Sequence, residues 1–232
     1  MQFLQIVYNH LVMSAQTASY LEAISHLPPG ATLHLPYVSW EEYEQLLAEL
    51  GPSYAVRISY DQGRLEIISP LREHEFYKLL FQRMAHILAE ELSLPLEAFG
   101  STTYKAKPKA QGAEPDESFY VQNAHRVIDN LQLDLETDPP PDVVVEIDIT
   151  SKSTSRFRIF AALGVPEIWR YDGTAAEIYH LQGQSYVIAE FSRAFPLLSA
   201  DALSRFAKQC KTQGQTATLA AFREWVRANK IS

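Results

Sequence analysis

Hydrophobic and polar positions along the 232-residue chain fall into a few regular stretches. Ser39 stands three positions before Glu42, the capping-box pattern, and predicts a helix to about Leu50, stopped by Gly51 and Pro52. Tyr54 to Ser69 holds two β-rich runs on either side of Asp61-Gln62-Gly63, which predicts a hairpin with Gly63 at positive φ. From Arg72 to Leu92, residues Phe76, Leu79, Leu80, Met84, Ile87, Leu88 and Leu92 recur at helical spacing, so an amphipathic helix lying on a sheet is expected. Pro139 to Pro141 end whatever precedes them and leave Asp142 at the mouth of a strand. Along that strand Val143, Val145, Ile147 and Ile149 share one face, and Asp142, Val144, Glu146 and Asp148 share the other. Ser153 to Leu163 reads as a helix with Ile159, Ala162 and Leu163 inward, closed by Gly164 with Pro166 beyond it. Runs at 167–171, 177–181 and 185–188 predict a meander, and 199–210 and 215–229 predict two final helices.

Composition sets the scale of this picture. A hydrophobic fraction of 47% over 232 residues is enough for one domain with a full core, expected over residues 31–232. Residues 1–30 are expected to be an N-terminal extension, with 20–35 a Pro- and Gly-punctuated connector and order from about Leu33. Met13 is an alternative start, and the apolar N-terminus lacks the basic segment and cleavage site of a signal peptide. No run reaches the ~18 apolar residues of a membrane span, so no membrane partner is expected. A single cysteine, Cys210, rules out an intrachain disulfide framework and a multi-cysteine zinc site, and fits a cytoplasmic location. The formal charge of -8 argues against a sequence-blind coat on nucleic acid but leaves room for a local basic groove.

Candidate chemistry concentrates on acids. Glu146 and Asp148, two apart on a Val/Ile-rich strand, would sit about 7 Å from each other, and either need a cation or strong donors or mark a strand end that has reached solvent. Asp116 opens a second acid-bearing strand, Glu114-Pro115-Asp116-Glu117-Ser118-Phe119. His74 and Lys78, four apart in the first turns of the long helix, share a face; a solvated helix start accounts for them equally. Lys105, Lys107 and Lys109 alternate with small residues and would project from one side of an extended segment, as a phosphate track or as protection of an edge strand. The polar stretch 122–138 is expected to be an irregular excursion.

Taken in order, the hairpin, the helix opening with His74, the Pro115-Asp116 strand, Pro141-Asp142-Val143-Val144-Val145-Glu146 and Gly164-Val165-Pro166-Glu167-Ile168-Trp169 resemble the Uma2 family of restriction-endonuclease-like proteins, common in cyanobacteria. The resemblance covers about residues 30–230. It implies an α/β (α+β) PD-(D/E)xK fold, a mixed β-sheet flanked by helices with an N-terminal β-hairpin and C-terminal helices. It also implies hydrolysis of phosphodiesters in nucleic acid, DNA foremost, with Mg2+ or Mn2+ as cofactor and room for a homodimer. Carried over by residue, the metal ligands are Asp116 and Glu146, helped by the Ile147 carbonyl, and the catalytic set is Asp116, Glu146, Arg156 and His74.

The motif's lysine has no counterpart. Asp148 stands two residues after Glu146, and Arg156 stands four before Phe160, where a Lys is common in such sequences; Lys152 is the one ammonium nearby. Arginine stays charged and cannot serve as a base. A fold that binds nucleic acid or protein without cleaving is therefore the alternative. The nuclease reading requires Asp116 and Glu146 on adjacent strands with carboxylates roughly 4 to 6 Å apart, and at least one acid with a raised pKa.

Overall fold

Local signals along the chain produce the elements, and the computed structural model describes them over residues 15–51, 54–130, 132–149 and 154–230. The first half holds α1 (Ala15–Ser25), β1 (Thr32–Pro36), α2 (Trp40–Leu50), β2 (Arg57–Asp61), β3 (Arg64–Ile68) and α3 (Arg72–Leu92). Short strands follow: β4 (Glu97–Ala98), β5 (Tyr104–Ala106), β6 (Gln111–Ala113) and β7 (Glu117–Tyr120). Then come β8 (Val143–Ile147), α4 (Thr154–Leu163), β9 (Glu167–Tyr171), β10 (Ala176–Gln182), β11 (Ser185–Ala189) and α5 (Ala200–Asn229), which is broken at Gly214 (φ 77°) into the two expected helices.

Several of these elements carry the causes read from sequence. Ser39 accepts a hydrogen bond from the Glu42 amide while the Glu42 carboxylate accepts one from the Ser39 amide, so both orphan donors at the start of α2 are satisfied. Gln62 and Gly63 form the two-residue loop between β2 and β3, both at positive φ (47° and 91°), as a tight hairpin twisted like its strands requires. Leu79 on α3 departs from its expected inward position and is exposed, whereas Leu80, Phe81, Met84 and Leu88 are buried; the buried stripe is narrower than the apolar one. The connector expected over 20–35 is in part the helix α1, whose Tyr20, Leu21 and Ile24 join the core beside α2.

The expected mixed α+β architecture with flanking helices is present, built on two sheets. A five-stranded antiparallel sheet runs β1-β3-β2-β6-β5, and a six-stranded one runs β11-β10-β9-β8-β7-β4, in which only β8 and β9 are parallel. One face of the six-stranded sheet, with Val143, Val145, Ile147, Phe119 and Trp169, packs on α3 and α5. The opposite face, with Val144, Ile168 and Tyr120, packs on Ile159, Phe160 and Leu163 of α4, so the alternation of β8 has the two faces expected of it. The other sheet packs on α1 and α2 through Ile58, Tyr60, Leu65 and Ile67. After β6 the chain leaves one sheet and enters the other as β7, and Glu114, Pro115 and Asp116 make that crossing.

Gly112 shows how tightly the first sheet is closed. A β-carbon there would lie 2.6 Å from the Tyr43 hydroxyl and 2.9 Å from Lys105 Cβ, both inside van der Waals contact. Gly112→Ala is expected to destabilise the fold by about 1 to 3 kcal/mol, through forced displacement of a fully buried tyrosine. Urea denaturation reads this as a lowered midpoint at unchanged slope.

Among the described residues no helix is long and apolar enough to cross a membrane. The N-terminal residues around Met13, and Lys152, lie outside the described residues.

Candidate functional site

The site grows from the crossing between the sheets. The Asp116 amide donates to the Val145 carbonyl (3.1 Å), which sets Asp116 at the head of β7 beside β8. Its Oδ2 then accepts from the Ile147 amide (2.7 Å), so the carboxylate lies against the backbone of the residue after Glu146. The Asp116 charge opposes ionisation of Glu146. Arg156, from the first turns of α4, donates through Nη2 to Glu146 Oε2 and lies 3.5 Å through Nη1 from Glu66 on β3. Asp116, Glu146 and Arg156 are thus brought together from three separate elements.

Burial dominates the electrostatics. Glu146 is fully buried, and removal from water pushes its carboxyl up to about 8; Arg156 opposes that shift, and Asp116 and Asp148 add to it. Burial works against the Arg156 charge as well, but Glu146, Asp116 and Glu66 around it override burial and hold the guanidinium charged. Among the described residues, the buried atoms Glu146 Oε1, Arg156 Nε and Arg57 Nε have no hydrogen-bond partner.

On the other side of Asp116, Arg57 Nε lies 3.8 Å from Oδ1, and Arg57 Nη2 donates to Glu75 in the first turn of α3 (3.1 Å). The acid pair is thus flanked by cations that reach further acids: Arg156 joins Glu146 to Glu66, and Arg57 joins Asp116 to Glu75. Both arginines reach clefts. Arg57 lines one of about 430 Å³ with Tyr54, Thr102 and Thr103. Arg156 lines one of about 620 Å³ with His34, Pro36, Arg64, Glu66 and Arg158.

The remaining candidates have other surroundings. His74 is buried in the first turn of α3, the helix on the face opposite α4, and its Nε2 has no hydrogen-bond partner among the described residues. Among the described residues no hydrogen bond or ion pair joins it to Asp116, Glu146 or Arg156; its sequence neighbour Glu75 makes the link through Arg57. Asp148, in the place of the motif lysine, accepts from Arg170 Nε on β9 (2.6 Å), and Arg170 also holds Glu177 (2.8 Å). It is a strand-end acid with its own cation.

The three lysines do not form a track. Lys105 pairs with Glu44, Lys107 with Glu41 (3.5 Å), and Lys109 donates to the Ala162 carbonyl, because the chain turns through a short 3-10 segment at 107–109. Asp142 is structural too, accepting from the Val121 and Asn123 amides and the Asn123 side chain. Sequence reasoning missed Arg57, Glu66, Glu75 and Arg170. Each meets its partner through tertiary structure alone, and only the Arg57-x-Ser59 alternation in β2 hinted at a residue set apart from the Ile58 and Tyr60 core face.

Metal ligation can be tested on the donor set. Among the described residues no group of three His, Cys, Asp or Glu side chains is placed to hold an ion. Two carboxylates are placed together, one with an unpartnered buried oxygen, Glu146 Oε1. That set suits Mg2+ or Mn2+, hard cations that take one or two carboxylates and keep several waters.

Comparison with known proteins adds the lineage. Four solved chains match. One, the crystal structure of a "putative nuclease belonging to DUF820" from Anabaena variabilis ATCC 29413, shares 16% identity at a TM-score of 0.49, over 73% of this chain and 99% of that one. Curated proteins provide no match. The family model of Uma2, described as "Putative restriction endonuclease", matches residues 40–210, a span that takes in the helix α2, every strand from β2 to β11, Asp116, Glu146 and Arg156. The chain belongs to the Uma2 family.

Proposed function

We propose that the protein is a metal-dependent nuclease that hydrolyses phosphodiester bonds in nucleic acid, DNA foremost, at Asp116 and Glu146. The observation that carries this reading is the meeting of two carboxylates from neighbouring strands with one arginine, in a family described as "Putative restriction endonuclease". Asp116 and Glu146 would hold the Mg2+ or Mn2+. The bound ion supplies Lewis acidity toward a phosphoryl oxygen and lowers the pKa of an attacking water.

The chain's own residues do the rest. The Ile147 amide fixes one Asp116 oxygen, and Arg57 stands beside the other. Arg156 is held charged, so it pairs with Glu146 without substrate and offers a planar donor to a phosphate with it. It cannot take a proton from water. The cleft at Arg156 also carries Arg64 and Arg158, guanidinium groups gathered locally in a chain of net charge -8. His74, buried on α3, takes no part in this reading.

The test uses the purified full chain with Mg2+ or Mn2+, or with EDTA, on single- and double-stranded DNA and RNA. Products that need the metal are expected. One observation favours a second reading: Asp148 stands in the place of the motif lysine, and the helix residue that could stand in for it, Arg156, is already bonded to Glu146. Salt-dependent binding with no product under any metal would hand the site to that reading, a nucleic-acid-binding module.

A further inference from the structure

Tyr37 is the most exposed large hydrophobic side chain among the described residues, at 93%. Its backbone has φ 61°, the left-handed region, which is disfavoured for any residue with a β-carbon. Glycine or asparagine would suit the turn better. Neither burial nor backbone geometry accounts for a tyrosine here.

The residue is also rigidly presented. Pro36 before it ends β1 in register with Arg64, and the Val38 amide after it donates to the Gly63 carbonyl (3.0 Å). Val38 is buried, and its carbonyl accepts from the Tyr60 hydroxyl (2.9 Å). The aromatic ring therefore projects into solvent from a backbone fixed on both sides. Strain kept in this way is characteristic of ligand-contacting positions.

What lies next to it gives the ligand class. Pro36 lines the cleft of about 620 Å³ that contains Arg156, and the same cleft holds Arg64 and Arg158. Arg158 is ion-paired with Asp61 yet more than half exposed, and Arg64 is exposed. An aromatic face in water beside an array of guanidinium groups matches the chemistry of single-stranded nucleic acid, which offers unpaired bases for stacking and phosphates for pairing. A continuous duplex keeps its base faces stacked on one another.

We propose that Tyr37 is a stacking platform for an unpaired nucleobase, with the adjoining backbone phosphates held by Arg64 and Arg158 at the mouth of the Arg156 cleft. The inference rests on the nuclease reading for its orientation toward Asp116 and Glu146, and it specifies a substrate with single-stranded character.

Binding is measured by fluorescence anisotropy in EDTA, where cleavage cannot interfere. The probes are a labelled mixed-sequence 12-mer as single-stranded DNA, as single-stranded RNA, as duplex DNA, and as an abasic strand of equal length. Tyr37→Ala and Tyr37→Gly are expected to weaken binding of at least one base-bearing single strand about ten-fold, while Tyr37→Trp retains it. Abasic and duplex binding should be unchanged. Tyr37→Gly relieves the backbone strain, so its melting temperature should equal or exceed that of the wild type and separate lost binding from lost fold.

Wild-type affinity for single strands in Tyr37→Ala overturns the proposal and leaves the nuclease reading standing. Absence of single-strand binding by the wild type also overturns it, whatever is cleaved. Tyr37-dependent binding without any metal-dependent product supports the proposal and removes the nuclease reading.

Discussion

Glu146→Gln is expected to remove metal-dependent cleavage by a factor of roughly a thousand or more, because loss of a carboxylate ligand forfeits several kcal/mol of transition-state stabilisation. Gln keeps the size of the side chain and can still accept from Arg156, so circular dichroism should show the fold intact. Arg156→Lys is expected to preserve or raise cleavage, because it places at the site the compact ammonium that the nuclease motif uses. Lysine also loosens the hold on Glu146 Oε2, which Arg156 now engages directly. The order of activities decides the matter. If Arg156→Lys is as inactive as Glu146→Gln, the arginine makes a contact that lysine cannot reproduce, a bidentate phosphate clamp being the obvious one. If both variants and the wild type are inert across metals and substrates, the acid pair is structural.

A second large effect is expected on stability as a function of pH. The Glu146 carboxyl lies at about 8 in the folded protein against an ordinary 4.5, through burial first, with Asp116 and Asp148 adding and Arg156 opposing. Between those two values the folded protein keeps a proton that the unfolded chain has released. The stability associated with this proton is fully present below about pH 4.5 and is lost as pH rises through about 8. Its size is on the order of a few kcal/mol. Urea unfolding of metal-free wild type and Glu146→Gln at several pH values isolates it. The wild type should lose stability relative to the Gln variant from about pH 5 to 8, and added Mn2+ should restore it at the alkaline end. Parallel profiles for the two proteins would show that Arg156 keeps Glu146 ionised throughout and that the acid carries no such proton.

Much of this architecture is local in origin and readable from the chain. The Ser39 and Glu42 cap, the Gln62-Gly63 turn and the Gly164 stop each depend on atoms within four residues, so composition and spacing announce them. The first helix was not announced. Ala15–Ser25 is built of small and polar residues with a few apolar ones, and it is helical because Tyr20, Leu21 and Ile24 find the α2 core. Propensity alone is too weak to show that. Of the two readings of the lysines of 105–109, the edge strand holds, since β5 ends its sheet, and the track does not. Their alternation is local, but the partners of Lys105 and Lys107, Glu44 and Glu41, sit on α2, about sixty residues earlier, and Lys109 reaches the Ala162 carbonyl on α4.

The candidate site divides along the same physical line. The sequence by itself determined that Asp116 heads one strand and that Glu146 points away from Val143, Val145 and Ile147, because side chains on a strand alternate whatever surrounds them. Only the tertiary structure decided what meets those acids. Arg156 binds Glu146 from ten residues away but Glu66 from ninety, and Arg57 comes to Asp116 from the other sheet. Charge pairing acts through space at a few ångströms, and the chain order carries no record of which distant cation folding will bring within that range.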